Sequence, residues 1–309
     1  MVSVKLFHYY RTCFYHKNMV KLVLRFSWGF AFMTIWNAIV LGLVQGIAEF
    51  LPISSSGHLS IINNLFSLSM AEDGHMFFDV LLHLGTLISV FVVYWSDIVA
   101  MFYEVLGFAN IGPLAEQRKQ RYPAARQFFM IVLATLPLIL ILPIKDLLEG
   151  LYYNNYFIGI ALVLTGCMLY VSDRMIVGKK TGGSMTVFDA LIIGLCQCVA
   201  TIPGLSRSGT TITAGISTGL RRDYAVKFSF LLSIPAVLGA NILSLIDAFR
   251  EGVQLAYVPA YLIGMAVAMV SGIASISLLK YVADRGRFGG FAYYCWVVGV
   301  LSIILTMIF

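Results

Sequence analysis

Six nearly uninterrupted apolar stretches, at positions 77–95, 128–143, 156–171, 228–246, 258–279 and 291–309, limit what this chain can fold into. Each is about the length a helix needs to cross the roughly 30 Å hydrocarbon layer of a bilayer. Of the 309 residues 60% are hydrophobic and 12% charged, with a mean hydropathy of +0.88, more apolar side chain than a water-soluble core can hide. The expectation is an all-α integral membrane protein with six transmembrane helices.

The formal charge of +6 does not point to nucleic acid. Lys5, Arg11, Lys17, Lys21 and Arg25 supply five of those charges from a stretch that holds no acid, and the body beyond Met33 is nearly neutral. Residues 1–32 are basic and aromatic without a small-residue cleavage site, so they are not read as a signal peptide. They are set apart as an interfacial extension, or as the product of a start codon assigned too early, with Met19 or Met33 as the real start. The five cysteines, Cys13, Cys167, Cys196, Cys198 and Cys295, show no metal-ligand or redox spacing and are assigned to packing.

The remaining basic residues sort by loop, and an excess of Lys and Arg in short loops marks the cytoplasmic side. One set holds Arg118, Lys119, Arg121 and Arg126; Arg174, Lys179 and Lys180; Arg221, Arg222 and Lys227; and Lys280, Arg285 and Arg287. The other, at 144–153 and 247–256, holds only Lys145 and Arg250. With that alternation, the segment from Val187 to Arg222 begins and ends inside and is broken at Pro203 and Gly204. The segment 36–68 begins and ends outside and is broken at Pro52 and the serines after it. Both are predicted to be re-entrant hairpins, entering from opposite sides.

The two hairpins are related. LGLVQGIAEFLPISSSG at 41–57 lies without a gap over IGLCQCVATIPGLSRSG at 193–209, and Gln45 matches Gln197, Ser54 matches Ser206, Ser56 matches Ser208 and Gly57 matches Gly209. Two apolar helices would share Leu and Ala by chance, but not Gln and Ser-x-Ser-Gly in register. Each half, 33–172 and 173–309, is one hairpin plus three spans. Three is odd, so the halves insert upside down relative to each other, as an inverted-topology repeat with its site near the midplane.

Non-helical backbone at membrane depth survives only where protein buries it or water reaches it, and ionisable groups there are functional by default. The first hairpin carries Glu49 and His58 near its tip, and the second carries Arg207. A structural Glu49–Arg207 ion pair joining the halves is the bland reading; the hydroxyls of Ser54, Ser55, Ser56, Ser206, Ser208, Thr210 and Thr211 around both charges argue for more. Helices restart after Gly57 and around Gly209, so their N-termini offer an anion site, to which Arg207 adds a planar fork for phosphate oxygens. Facing such a cradle, Glu49, with Gln45 one turn earlier, is a candidate ligand for a hard divalent cation. His58 is a candidate proton-transfer group, and Ser55 a candidate nucleophile, with an activated water as the alternative. Asp79 and His83, four apart on one helical face, read as a satisfied pair near the outer end of a span, with a supporting role behind the site residues as the alternative; Asp189 reads as a helix-start carboxylate, and Tyr152 and Tyr153 as an interfacial belt. His75, Glu72 and Asp73 fall in an outer loop.

QGIAEFLPISSSGH at 45–58 and PGLSRSGTT at 203–211 resemble the two signature motifs of the undecaprenyl-diphosphatase family of bacitracin-resistance proteins, and the likeness runs from about Met33 to the C-terminus, through FSFLLSIP at 228–235. The resemblance implies removal of the terminal phosphate of undecaprenyl diphosphate, which recycles the carrier lipid for peptidoglycan. It also implies dependence on a divalent cation, Mg2+ or Ca2+, and a site open to the extracytoplasmic side of the bacterial inner membrane. Carried across by position, Glu49, His58 and Arg207 are the catalytic core, Ser55 the proposed nucleophile, and Gln45, Ser54, Ser206 and Thr211 supports. The family allows Glu or Gln at position 45, and Gln45 shifts the burden of holding a cation to Glu49. The expected partners are the substrate and membrane lipids, with no nucleic acid and with a homodimer left open. A transporter or flippase of a phosphorylated isoprenoid lipid, which the inverted repeat alone suggests, is the alternative.

Overall fold

Thr34 starts the first helix by accepting the backbone N–H of Asn37 on its hydroxyl at 3.2 Å. The computed structural model describes residues 34–66, 76–108, 123–176, 178–251, 254–285 and 288–308. The extension 1–32, the loop with Glu72, Asp73 and His75, and the basic residues Arg118, Lys119, Arg121 and Arg287 lie outside the described residues. The helices are α1 (Ile35–Phe50), α2 (Ser55–Phe66), α3 (Met76–Val93), α4 (Trp95–Phe108), α5 (Pro123–Thr135), a 3-10 segment (Leu136–Ile144), α6 (Lys145–Gly150), α7 (Asn155–Arg174), α8 (Val187–Val199), α9 (Arg207–Ser217), α10 (Arg222–Glu251), α11 (Val258–Asp284) and α12 (Gly289–Ile308).

The chain is a multi-pass membrane protein. Pro123–Ile144, Asn155–Arg174, Arg222–Ala248, Leu255–Asp284 and Gly289–Ile308 are long and apolar enough to cross a bilayer, and Phe77–Val93 with Trp95–Gly107 makes a sixth, bent by 76°. Met76–Val93 fills the span expected at 77–95 almost to its end, and the bend falls at Tyr94, where α3 gives way to α4. Beyond Tyr94 the helix leaves along α5, and Asp97 in its first turn is tied to Lys227 on α10. The boundary drawn between the halves at 172 falls inside α7, which continues to Arg174.

Between spans, three helices in each half of the chain frame one helix–break–helix unit: α1 and α2 in the first, α8 and α9 in the second. The long α11 fixes the first unit. Gly42 and Gly46 of α1 lie so close to it that a Cβ on either would come 2.5 Å from the carbonyl oxygen of Gly264 or Ala268, the small-residue contact by which helices associate in lipid. The second unit starts in a capping box in which Thr186 and Asp189 each accept the other's N–H, and Lys180 bonds the same carboxylate at 2.9 and 3.0 Å. Burial pushes the Asp189 pKa up, but those hydrogen bonds and the lysine outweigh it and hold it below its ordinary value. Anchored at these far ends, both units present their breaks to each other in the middle of the fold.

Candidate active site

Pro52 and Pro203 interrupt helices at membrane depth, and side chains take up backbone groups freed there. In the first break Ser54 has a φ of 70° and caps α2 by accepting the Gly57 N–H at 3.2 Å. In the second, Gly204 makes the left-handed turn with φ 87°, where a Cβ would lie 2.9 Å from the Ile158 carbonyl oxygen. Ser206 caps α9 through the Gly209 N–H at 3.1 Å. Thr165 on α7 supports this break, accepting the Ser206 N–H at 3.2 Å and donating to the Gly204 carbonyl at 3.4 Å. The helices restart at Ser55 and Arg207, ahead of the points expected after Gly57 and around Gly209. The other serine of each motif reaches across: Ser56 accepts the Gly204 N–H, and Ser208 donates to the Leu51 carbonyl, both at 3.4 Å.

Glu49, in the last turn of α1, is the hub. It is 8% exposed. Arg207 donates to Oε1, while Oε2 accepts the Ser55 hydroxyl at 2.6 Å and the Gln45 amide at 3.1 Å. The Ser55 hydroxyl is within proton-transfer distance of that carboxylate, and Arg207 keeps further donors of its fork for an anion. Gln45 is wholly buried, and its Oε1 has no hydrogen-bond partner among the described residues.

Glu49, Ser54, Ser55, Ser56, Ser206 and Arg207 line a cavity of about 650 Å³. Its opposite wall is apolar. Pro137 and Pro143 hold residues 136–144 in a 3-10 coil that turns Leu138, Ile139, Ile141 and Leu142 to the cavity, and α10 adds the stretch around Pro235. Lys145, Glu149 and Tyr152 complete the lining. The Lys145 ammonium lies 3.4 Å from Glu149 and 3.5 Å from Asp247 on α10. Burial works against that charge, and the two carboxylates outweigh it and raise its pKa. Burial pushes the Tyr152 phenol up to about 12, so at neutral pH it offers a hydroxyl and no charge.

Several candidates lie off this lining. The His58 ring is turned away: Nδ1 donates to the Ser54 carbonyl at 2.7 Å, and Nε2 accepts the Tyr294 hydroxyl of α12 at 2.8 Å. That occupies both nitrogens, with the tautomer assigned from its partners. Ser208 ties the two breaks, Thr210 is buried with an unpartnered hydroxyl, and Thr211 bonds the Arg207 carbonyl at 2.9 Å and Ser229 at 2.6 Å. None of the three reaches the cavity surface. Sequence reasoning missed Lys145, Glu149, Gln197, Tyr152 and His83 as lining residues. Gln197 had a signal, since it is the repeat mate of Gln45; its Nε2 is buried without a partner.

Comparison with known proteins agrees with the resemblance. The sequence profile of the family described as bacitracin resistance protein BacA matches residues 38–301. The undecaprenyl-diphosphatase of Methanosphaera stadtmanae is 38% identical over 281 residues, covering 89% of this chain and 99% of the relative. The protein of that name from Syntrophotalea carbinolica is 40% identical, over 89% of this chain and all of the relative, and that from Carboxydothermus hydrogenoformans is 35% identical over 88% and 98%.

Proposed function

The chain belongs to the bacitracin resistance protein BacA family, and from that premise we propose that Glu49, Ser55 and Arg207 carry the chemistry of its cavity. The activity is hydrolysis of undecaprenyl diphosphate to undecaprenyl phosphate and inorganic phosphate. That recycles the carrier lipid for cell-envelope synthesis and underlies resistance to bacitracin.

The observation that carries the mechanism is the 2.6 Å hydrogen bond from Ser55 to Glu49 beside Arg207. The terminal phosphate binds against Arg207 and the N-termini of α2 and α9, while the prenyl chain leaves along the apolar wall. Ser55 Oγ bonds to the terminal phosphorus as its proton passes to Glu49. The bond from that phosphorus to the bridging oxygen breaks, and undecaprenyl phosphate departs with the electron pair. Water then releases phosphate from Ser55.

A divalent cation is part of the proposal. Gln45, just beneath the cavity lining, bonds Glu49 through Nε2, and its amide oxygen, without a partner among the described residues, is donor chemistry that a hard cation takes. Among the described residues no three His, Cys, Asp or Glu side chains converge, which fits an ion that draws most of its ligands from phosphate and water. Bound there with Glu49 and Gln45, it would supply positive charge against the diphosphate oxygens.

The two halves insert in opposite senses in this reading, and the cavity opens to the extracytoplasmic face of the cytoplasmic membrane. Support comes from the basic residues Arg126, Lys180 and Arg222, which bond groups of the 173–189 region away from the cavity. A homodimer enters only as an expectation for the mass of the detergent-solubilised particle. A transporter has no use for a serine hydroxyl bonded to a carboxylate. The test is phosphate release from undecaprenyl diphosphate by the purified protein in detergent, where no second compartment exists. Multiple turnovers are expected, and substrate binding without release would restore the transport reading.

A further inference from the structure

The mechanism above leaves one proton without a destination. Once Glu49 has taken the Ser55 proton, it must return it when Ser55 departs from phosphorus. The water that attacks the phosphorylated serine therefore needs a second base. His58, the histidine of the motif, has both ring nitrogens engaged and lies off the cavity.

His83, on α3, lies on the cavity lining together with Glu49, Ser55 and Arg207. Its Nδ1 donates to the Asp79 carbonyl at 3.0 Å, with an Asp79 carboxylate oxygen 3.8 Å away. Those contacts fix the tautomer and leave Nε2 as the free, basic nitrogen, with no hydrogen bond to it among the described residues. The imidazole is 29% exposed and forms part of the cavity lining. The groups facing it are Asp79 on its own helix, Glu49 on α1 and Arg207 on α9, all of whose charges act on the ring, with Lys145 and Glu149 of α6 elsewhere on the same lining.

We infer that His83 is the second base of this active site, oriented by Asp79 and dedicated to hydrolysis of the phosphorylated Ser55. The inference rests on the reading of Ser55 as nucleophile. In this step a water oxygen bonds to phosphorus and its proton passes to His83 Nε2. The phosphorus–Oγ bond breaks, Oγ takes back the proton held by Glu49, and His83 afterwards gives its proton to solvent. Atoms and charge balance with no further reactant.

The test uses full-length protein in detergent with undecaprenyl diphosphate radiolabelled in its terminal phosphate. His83→Gln is expected to release one equivalent of undecaprenyl phosphate in a burst, to hold the label on the chain as acid-stable phosphoserine, and then to turn over roughly a hundredfold more slowly than wild type. His83→Ala is expected to recover phosphate release when free imidazole is added. Undiminished turnover of His83→Gln, or slow turnover without label on the chain and without rescue by imidazole, would overturn the inference. Failure of the underlying reading looks different: Ser55→Ala would keep its turnover, and no variant would carry label.

Discussion

Ser55 gives its hydroxyl hydrogen to Oε2 of Glu49 across 2.6 Å, and the other oxygen of that carboxylate is held by Arg207 from the opposite half of the chain. One side chain thus joins the halves and, in the proposed mechanism, prepares a nucleophile. The ion pair between the halves and the proposed catalytic group share Glu49 and Arg207.

Arg207→Lys should turn over at least about a hundredfold more slowly than wild type, because an ammonium cannot hold Glu49 and two phosphate oxygens in one plane. Arg207→Ala should be worse and should also melt earlier, since it strands a buried carboxylate. Turnover by the Lys variant within threefold of wild type would mean that Arg207 acts as a point charge only.

His58 should act on Ser54 rather than on substrate. Its ring fixes the carbonyl of a residue held at φ 70° and ties α2 to α12 through Tyr294. His58→Ala should therefore lower the melting temperature and turnover together, and Tyr294→Phe should reproduce a milder form of both, one hydrogen bond being worth about 1 kcal/mol. A His58→Ala enzyme that melts like wild type and has lost turnover alone would return the ring to the chemistry.

Gln45→Glu should lower the magnesium concentration needed for half-maximal activity, because it turns an unpartnered buried amide oxygen beside Glu49 into a second carboxylate. A magnesium titration of phosphate release checks this. An unchanged midpoint would move the cation away from Gln45.

Much of this site was legible in the sequence. The gapless repeat singled out the two breaks, and unusual residues at membrane depth singled out Glu49, Ser55 and Arg207. What stayed hidden depends on which helix faces which. Hydropathy treats α3 as a plain span, so Asp79 and His83 read as a pair at its end; only the packing of α3 against α10 and α11 brings His83 to the cavity. Tyr152, next to the end of a span, reads as an interfacial aromatic until the prolines at 137 and 143 are seen to turn that region inward. The place of His58 depends on a local contact. Three residues after Ser55 in the motif, its ring folds back onto the carbonyl of Ser54, the residue whose hydroxyl caps its own helix.

In the proposed mechanism Glu49 takes the proton of Ser55, and phosphate release by Glu49→Gln across a magnesium titration at fixed pH measures that step most directly. Glutamine keeps the shape and can still bond Ser55, but it cannot accept the proton. A flat response is expected, roughly a thousandfold or more below wild type at every magnesium concentration. Recovery to within tenfold of wild type as magnesium rises would contradict it, and would leave Glu49 as a cation ligand only.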